Sequence, residues 1–229
     1  KNSTKEIINE INTYRDESKA AFLPRFFKTG KGEYGEGDQF IGVVVPNLRI
    51  VAKKHFDADF DTLRELLASP YHEYRLTALL ALTYRYAKLK DHTSRETCVN
   101  FYVSQVDAIN NWDLVDLSCY KILGHWLFDK DKQLLYDWAK ENHLWKQRIA
   151  MISCMHFVKQ GEFKDALAIA DLLQHHPHDL IHKAVGWILR EIGKEDEQLL
   201  IDYLTPRYKE MPRTMLRYAI ERFEEEIGR

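Results

Sequence analysis

Four helical segments of this 229-residue chain repeat one pattern, and the last three do so at a nearly constant distance along the sequence. Each carries a Lys or Arg near its start and continues apolar and Ala-containing; they are Glu73–Lys88, Leu144–Lys159, Leu180–Lys194 and Thr214–Phe223. Arg148 and Lys183 are 35 positions apart, and Lys183 and Arg217 are 34 apart. Two helices fill a step of this size, and because one pair cannot bury its own apolar face, neighbouring pairs must stack. The pattern predicts an all-α fold, a solenoid of antiparallel helix pairs with a concave binding face.

The rest of the chain follows the helical period with one clear interruption. Four glycines fall within Gly30–Asp38, which indicates a loop insertion. Phe40–Val45 is β-branched enough for a short strand, but Pro46 follows it and Asn47–Phe56 resumes helical spacing, with proline in the first turn. We therefore expect Phe40–Val45 to be a buried segment that leads into a helix, and residues 1–229 to form a single domain of HEAT-like pairs.

Composition limits the possible partners and compartment. The net charge is −2 and the sequence pI about 6.6, so binding to a polyanion requires a local basic face. Cys98, Cys119 and Cys154 form no CxxC pair, which indicates reduced thiols in a cytoplasmic protein. No apolar run reaches the roughly 18 residues of a membrane span, and no signal peptide precedes the first helical pattern. We expect a cytoplasmic protein without membrane contact.

Two short segments place a tryptophan and a charged group on one helix face. Trp112 precedes Asp116 by four residues, and Trp187 follows Lys183 by four. An indole beside a lone carboxylate, with a second indole in a basic setting, suits a flat cation flanked by phosphates. An alkylated purine in DNA is a substrate of this kind.

These segments carry a family resemblance. WDLVD at Trp112–Asp116, LWKQRIA at Leu144–Ala150 and HKAVGWILRE at His182–Glu191 resemble the AlkD-like DNA alkylation-repair glycosylases, and PRFFK at Pro24–Lys28 is a weaker match. The similarity covers most of the chain in order. It implies a HEAT-like solenoid that holds duplex DNA in its concave face. It also implies hydrolysis of the N-glycosidic bond of N3- and N7-alkylated purines, without turning the damaged base out of the helix.

The resemblance gives roles to individual positions. Asp116 would be the catalytic carboxylate, and Trp112 and Trp187 would pack against the sugar-phosphate at the lesion. Arg148 would hold a phosphate, and Phe26 stands where the family has an aromatic residue, commonly tyrosine. Because an alkylpurine is already cationic, it leaves without a general acid, and a carboxylate stabilises the oxocarbenium-like sugar. We expect no metal or organic cofactor, and a monomer that acts on double-stranded DNA containing alkylated purines.

Weaker candidates for contacts to the DNA backbone are basic residues near Trp187 and in the last helical segment. Lys183 and Arg190 flank Trp187, and Arg217 belongs to a basic stretch near the C-terminus. Three features depart from the family pattern: Asp179 and Leu180 replace two bulky aromatics, Val44 replaces a glutamine, and the loop at 30–38 is inserted.

Each candidate residue has a plainer interpretation. Trp112 and Trp187 are also compatible with the core, and Arg148 with a link between adjacent repeats. Asp113 and Asp116 both fit first-turn acids after an N-cap at Asn110 or Asn111, an interpretation we prefer for Asp113.

Two further alternatives concern the histidines and the function. The cluster His175–His178, with His182 beyond it, fits an inter-helix loop better than a metal site, since Pro177 breaks the helical register. The function alternatives are a non-catalytic HEAT-like protein that binds distorted or branched DNA, and a protein-interaction scaffold.

Overall fold

The computed structural model describes residues 3–227, with side chains through residue 223, and most of these residues are helical. Within this part of the chain, the only extended pairing is an isolated bridge between Gln39 and Tyr71. The all-α prediction is confirmed. The chain divides into two compact units, Lys1–Ser118 and Cys119–Arg229; the prediction of a single domain stays a prediction.

The first unit is built around one long helix. Its helices are α1 (Thr4–Asn12), α2 (Glu17–Phe26), α3 (Val45–Lys54), α4 (Phe60–Leu67), α5 (His72–Lys88), α6 (His92–Ser104) and α7 (Trp112–Asp116), with a 3₁₀ turn at Val106–Ala108. Helix α5 is buried along most of its length, as expected of a helix that other elements surround. It packs against α3, α4, α6 and α7, and α1 packs against α3 and α4.

Side-chain caps set where most helices of this unit begin, with α3 and α5 as exceptions. In each case a side-chain oxygen accepts a backbone N–H of the first turn; the capping residues are Ser3 for α1, Asp16 for α2, Asp59 for α4, Asp91 for α6 and Asn111 for α7. Such caps contribute about 1 kcal/mol each. They matter most for α7, because a helix of five residues has little stability of its own.

The second unit stacks helix pairs. It begins with a π-helical turn (Tyr120–Gly124) and α8 (His125–Leu127), followed by α9 (Gln133–Lys140), α10 (Leu144–Lys159), α11 (Lys164–Leu173), α12 (Asp179–Glu195), α13 (Glu197–Leu204) and α14 (Arg213–Ile227). The second members of the pairs, α10, α12 and α14, pack side by side, while α9 packs on α10 and α11. Arg148, Lys183 and Arg217 lie on α10, α12 and α14, so the repeat of 34–35 residues corresponds to successive pairs.

Tyrosine–aspartate hydrogen bonds join the first helices of successive pairs. The Tyr136 hydroxyl of α9 donates to Asp165 of α11 at 2.6 Å, and the Tyr203 hydroxyl of α13 donates to Asp171 of α11 at 2.9 Å. The Arg207 guanidinium donates to the same Asp171 carboxylate at 2.9 Å. These bonds fix the spacing of the pairs on the side away from α10, α12 and α14.

Several local expectations are confirmed. The segment Phe40–Val45 leads into α3 without strand pairing, as expected, and Phe40, Ile41 and Val43 are buried, but Val44 is exposed and α3 already begins at Val45, with Pro46 in its first turn. Gly30–Asp38 consists of turns. The three cysteines are buried as free thiols. In the described part of the chain, no helix combines the length and apolarity needed to cross a bilayer.

Candidate active site

A cavity of about 410 Å³ lies in the first unit where α2, the segment 40–45, α5 and α7 meet. Phe, Leu and Val side chains form most of its wall, and its charged lining residues are His72, Glu73, Asp113 and Asp116. Trp112 lines it as well. The structure therefore brings Trp112 and Asp116 together at one apolar cavity.

The local sequence explains why both residues reach the cavity. The Asn111 side chain accepts the Trp112 backbone N–H at 2.9 Å and starts α7 there. Trp112 and Asp116 are one helical turn apart, so they project from the same side of α7. Both are half-buried, which leaves part of each side chain accessible to a ligand.

Aromatic rings pack in a continuous row behind Trp112. The Phe27 ring stacks on Trp112 with centroids 5.3 Å apart and on Phe40 at 5.0 Å. The Phe40 ring in turn stacks on His72 at 4.6 Å. The row packs behind the indole and forms one side of the cavity.

His72 connects this row to a buried charge network. Its Nδ1 donates to Asp38 Oδ2 at 2.6 Å and its Nε2 donates to Asp113 Oδ2 at 2.8 Å. Burial lowers the pKa of His72, but the two carboxylates outweigh burial and raise the pKa to about 9. The ring is therefore an imidazolium at neutral pH. It ties Asp113 of α7 to the glycine-rich loop that carries Asp38.

Asp38 is the common partner in this network. Arg75 donates to Asp38 Oδ1 at 2.9 Å, and the Asn111 amide donates to Oδ2 at 3.1 Å. Burial raises the pKa of Asp38, yet His72 and Arg75 together hold that pKa below its ordinary value. Gly35 of the same loop is in close contact with Phe27, since a Cβ there would lie 2.4 Å from the Phe27 carbonyl oxygen. The glycine-rich loop thus supports α7 through the contacts of Asp38 with His72 and Asn111.

A second buried carboxylate, Glu73, shapes the part of the wall that the segment 40–45 forms. Glu73 accepts the backbone N–H groups of Ile41, Gly42 and Val43 at 2.7–3.1 Å. Gly42 has a φ of +88°, and a Cβ there would lie 2.0 Å from the Asp16 carbonyl oxygen. The segment can adopt this path only with glycine at that position.

The structure adds to the sequence prediction for Asp113 and Phe26. Asp113 lies in the first turn of α7 after the Asn111 cap, as preferred, but it is buried and bound to His72. Phe26 lines the cavity with half of its surface exposed, and its ring lies edge-on to Trp112 at 6.1 Å. Val44 is 36% exposed and also lines the cavity.

The sequence did not indicate that His72 and Asp38 belong to the site. Asp38 lies in a loop 75 positions before Asp113, so nothing local links them. The one usable signal was the first turn of α5, where His72, Glu73 and Arg75 precede the mostly apolar stretch Leu76–Leu82.

The remaining predicted contacts belong to the second unit. Arg148 on α10 is buried, and its Nη1 donates to the Leu180 carbonyl oxygen of α12 at 2.5 Å, a bond between adjacent pairs. Trp187 is half-buried on α12. Neighbouring Gly186 brings α12 against α14, since a Cβ there would lie 2.6 Å from the Met215 carbonyl oxygen.

Two of the three backbone candidates are ion-paired. Lys183 pairs with Asp179 at 3.1 Å, and Arg190 pairs with Glu221 of α14. Arg217 is exposed in a groove of about 530 Å³ along the start of α14. Lys209 and Arg213 line the same groove, which gives it three basic side chains.

The histidine cluster forms the connection between α11 and α12. His176 pairs with the Gln147 side chain at 2.9 Å, and His178 Nδ1 accepts the Leu180 N–H and caps α12. Burial lowers the pKa of both histidines. Among residues 3–227, no group of three His, Cys, Asp or Glu side chains has the arrangement of a metal site.

Comparison with known proteins agrees with this architecture. A family model described as DNA alkylation repair enzyme matches residues 7–223. Among curated proteins, none matches.

Two solved structures have the same fold. The chain is similar to a predicted DNA alkylation repair enzyme from Enterococcus faecalis, with a TM-score of 0.68 and 14% identity over 90% of this chain and 95% of that one. It is also similar to AlkD2 from Streptococcus mutans, with a TM-score of 0.56 and 15% identity over 89% and 97% of the two chains.

Proposed function

The chain belongs to the DNA alkylation repair enzyme family, and on that premise we propose that it is a DNA glycosylase. Its substrates are cationic N3- and N7-alkylated purines in duplex DNA, and it hydrolyses the bond between the damaged base and the sugar. We further propose that it acts as a cytoplasmic monomer.

One observation supports this proposal above the others: Trp112 and Asp116 lie one turn apart on the wall of an apolar cavity. A carboxylate attracts a positive charge more strongly in apolar surroundings than in water. An indole face attracts a cation by roughly 0.5–2 kcal/mol, depending on desolvation. The pair therefore favours both a cationic nucleotide and an oxocarbenium-like sugar.

The chemistry requires little else of the protein. When the N-glycosidic bond breaks, its electron pair returns to the ring nitrogen, and the cationic base leaves as a neutral molecule. A water oxygen forms the new bond to the sugar carbon and releases its proton to solvent. The Asp116 carboxylate stabilises the developing positive charge and orients that water. No metal, organic cofactor or extrahelical base is needed for these steps.

We also propose Phe26 as part of the cleft of Trp112 and Asp116, and Trp187 and Arg148 of the second unit as contacts to the DNA. For Arg148 this role competes with the interhelical bond to the Leu180 carbonyl. An Arg148→Lys variant tests the phosphate contact against the interhelical bond. It keeps the positive charge but loses the planar, bidentate geometry that suits a phosphate.

The test is release of N7-methylguanine from a defined duplex under single-turnover conditions. Wild type should release the base, and Asp116→Asn should be slower by about 100-fold or more. Asp61→Asn is the matched control, because its side chain is 88% exposed on α4, outside the cavity. A duplex with an uncharged damaged base should yield no product, and a chelator should leave the rate unchanged.

Two outcomes would contradict the proposal. If wild type binds the duplex but releases no base, the chain is a non-catalytic protein for distorted or branched DNA. If it does not bind duplex DNA even at low salt, a protein-interaction scaffold is the better description.

A further inference from the structure

Helix α2 is unusual because none of its residues is buried. Two phenylalanines one turn apart, Phe22 and Phe26, are 59% and 51% exposed, and their rings stack with centroids 6.1 Å apart. We call these two rings the aromatic ridge. Paired, exposed aromatic rings on a soluble protein mark an interaction surface more often than isolated ones.

The aromatic ridge continues the wall of the cavity. Phe26 lines the cavity and packs edge-on against Trp112 at 6.1 Å and against Phe27 at 5.1 Å. Phe22 extends the row by one turn of α2, outside the set of lining residues. A ligand at the mouth of the cavity therefore lies beside the aromatic ridge.

The surroundings of the ridge are positively charged. Residues 14–31 contain five basic and two acidic side chains, whereas the whole chain has a net charge of −2. Arg25 and Lys28 are exposed beside the ridge. Aromatic faces flanked by cations are the combination with which proteins hold unstacked bases and their phosphates. An acidic protein surface would match only the cations, and an apolar protein surface would match only the aromatic faces.

We propose that the aromatic ridge stacks against base faces that a distorted lesion exposes in bound duplex DNA, beside the cavity of Trp112 and Asp116. This inference rests on the proposed function for the class of partner. It adds a base-contacting element on α2 and gives Phe22 a role that neither the sequence nor the resemblance indicates.

The test uses a duplex with a stable abasic-site analogue and the fluorescent base 2-aminopurine next to it. Binding of wild type should raise the 2-aminopurine fluorescence, because the probe leaves its stacked environment. Phe22→Ala should lower the affinity by about 10-fold and remove most of the fluorescence change. Phe22→Trp should retain both, whereas Phe22→Leu should resemble Phe22→Ala, since it keeps apolar area but not the ring.

Ile50→Ala is the matched control, because Ile50 is an apolar side chain that is 54% exposed on α3 and does not line the cavity. It should bind and unstack the probe like wild type. Equal behaviour of wild type and Phe22→Ala would overturn the proposal. So would a wild-type dimer in sedimentation that Phe22→Ala dissociates, since the ridge would then bind a second copy of the chain.

The result is separable from that of the proposed function. A fluorescence change that depends on Phe22, without base release from the N7-methylguanine duplex, would keep the ridge and reject the glycosylase. If Phe22→Ala does not affect base release, and binding does not change the 2-aminopurine fluorescence, the glycosylase proposal stands and the ridge proposal is rejected. A chain that does not bind DNA at low salt would reject both.

Discussion

At the scale of single residues, the imidazolium of His72 makes stability depend on pH. Its pKa is about 9 in the folded protein and 6.5 in its ordinary state, because Asp113 and Asp38 outweigh the effect of burial. A raised folded pKa contributes stability that is complete below about pH 6.5 and is lost as pH rises through 9. We expect the free energy of unfolding to fall by on the order of 3 kcal/mol over this interval.

The measurement is urea unfolding of wild type and His72→Gln from about pH 6 to about pH 10. Glutamine cannot titrate, so the difference in stability between the two proteins should shrink as pH rises. Because the other histidines are common to both proteins, their titration cancels in that difference. A difference that stays constant with pH would show that His72 is not charged in the folded state.

Single residues of the site differ in how far the sequence could predict them. The four-residue spacing of Trp112 and Asp116 on a helix was enough to place both on one face, and in the structure both line one cavity. The partners that hold this helix, Asp38 and His72, come from a loop and from another helix. Their contacts depend on tertiary packing, which no local pattern encodes.

At the scale of elements, close packing between α12 and α14 depends on Gly186. A Cβ there would lie 2.6 Å from the Met215 carbonyl oxygen and 2.5 Å from Tyr218 Cβ, so Gly186→Ala forces the helices apart. Gly193 on the same helix is the matched control, because its added Cβ would meet only the end of the flexible Leu200 side chain at 2.5 Å. In a helix, alanine is more favourable than glycine by about 1 kcal/mol. The expected changes in stability of the two variants therefore have opposite signs.

We expect Gly186→Ala to destabilise the protein by about 1–3 kcal/mol and Gly193→Ala to be neutral or slightly stabilising. Equilibrium urea unfolding followed by circular dichroism measures both. Equal destabilisation by the two variants would show that glycine is needed at both positions, and equal stabilisation would show that α12 and α14 do not approach closely.

Long, repeated elements were the most predictable. The predicted segment Leu144–Lys159 is α10 to the residue, since it is a long, mostly apolar stretch that ends on a basic residue. The π-helical turn at Tyr120–Gly124 was not foreseen, since its sequence has the apolar character of the helices around it. Its last residue, Gly124, lies close to α10, since a Cβ there would be 2.3 Å from the Ser153 carbonyl oxygen.

At the scale of the whole molecule, the net charge of −2 gives no general attraction to DNA. Binding of a duplex must therefore depend on where basic side chains gather without acidic partners. Lys183 and Arg190 are paired with Asp179 and Glu221, which reduces the gain from moving them to a phosphate. The groove of Lys209, Arg213 and Arg217 is the strongest alternative within the second unit.

The salt dependence of duplex binding tests this distribution of charge. Each phosphate contact releases condensed counterions and contributes about 0.9 to the slope of log K against log salt. We expect the double variant Arg213→Ala with Arg217→Ala to reduce that slope by about 2. The control, Lys159→Ala with Lys164→Ala, removes the same charge from exposed positions outside the groove and should leave the slope unchanged. If both double variants lower the slope equally, the DNA responds to total charge, and the groove is not its binding surface.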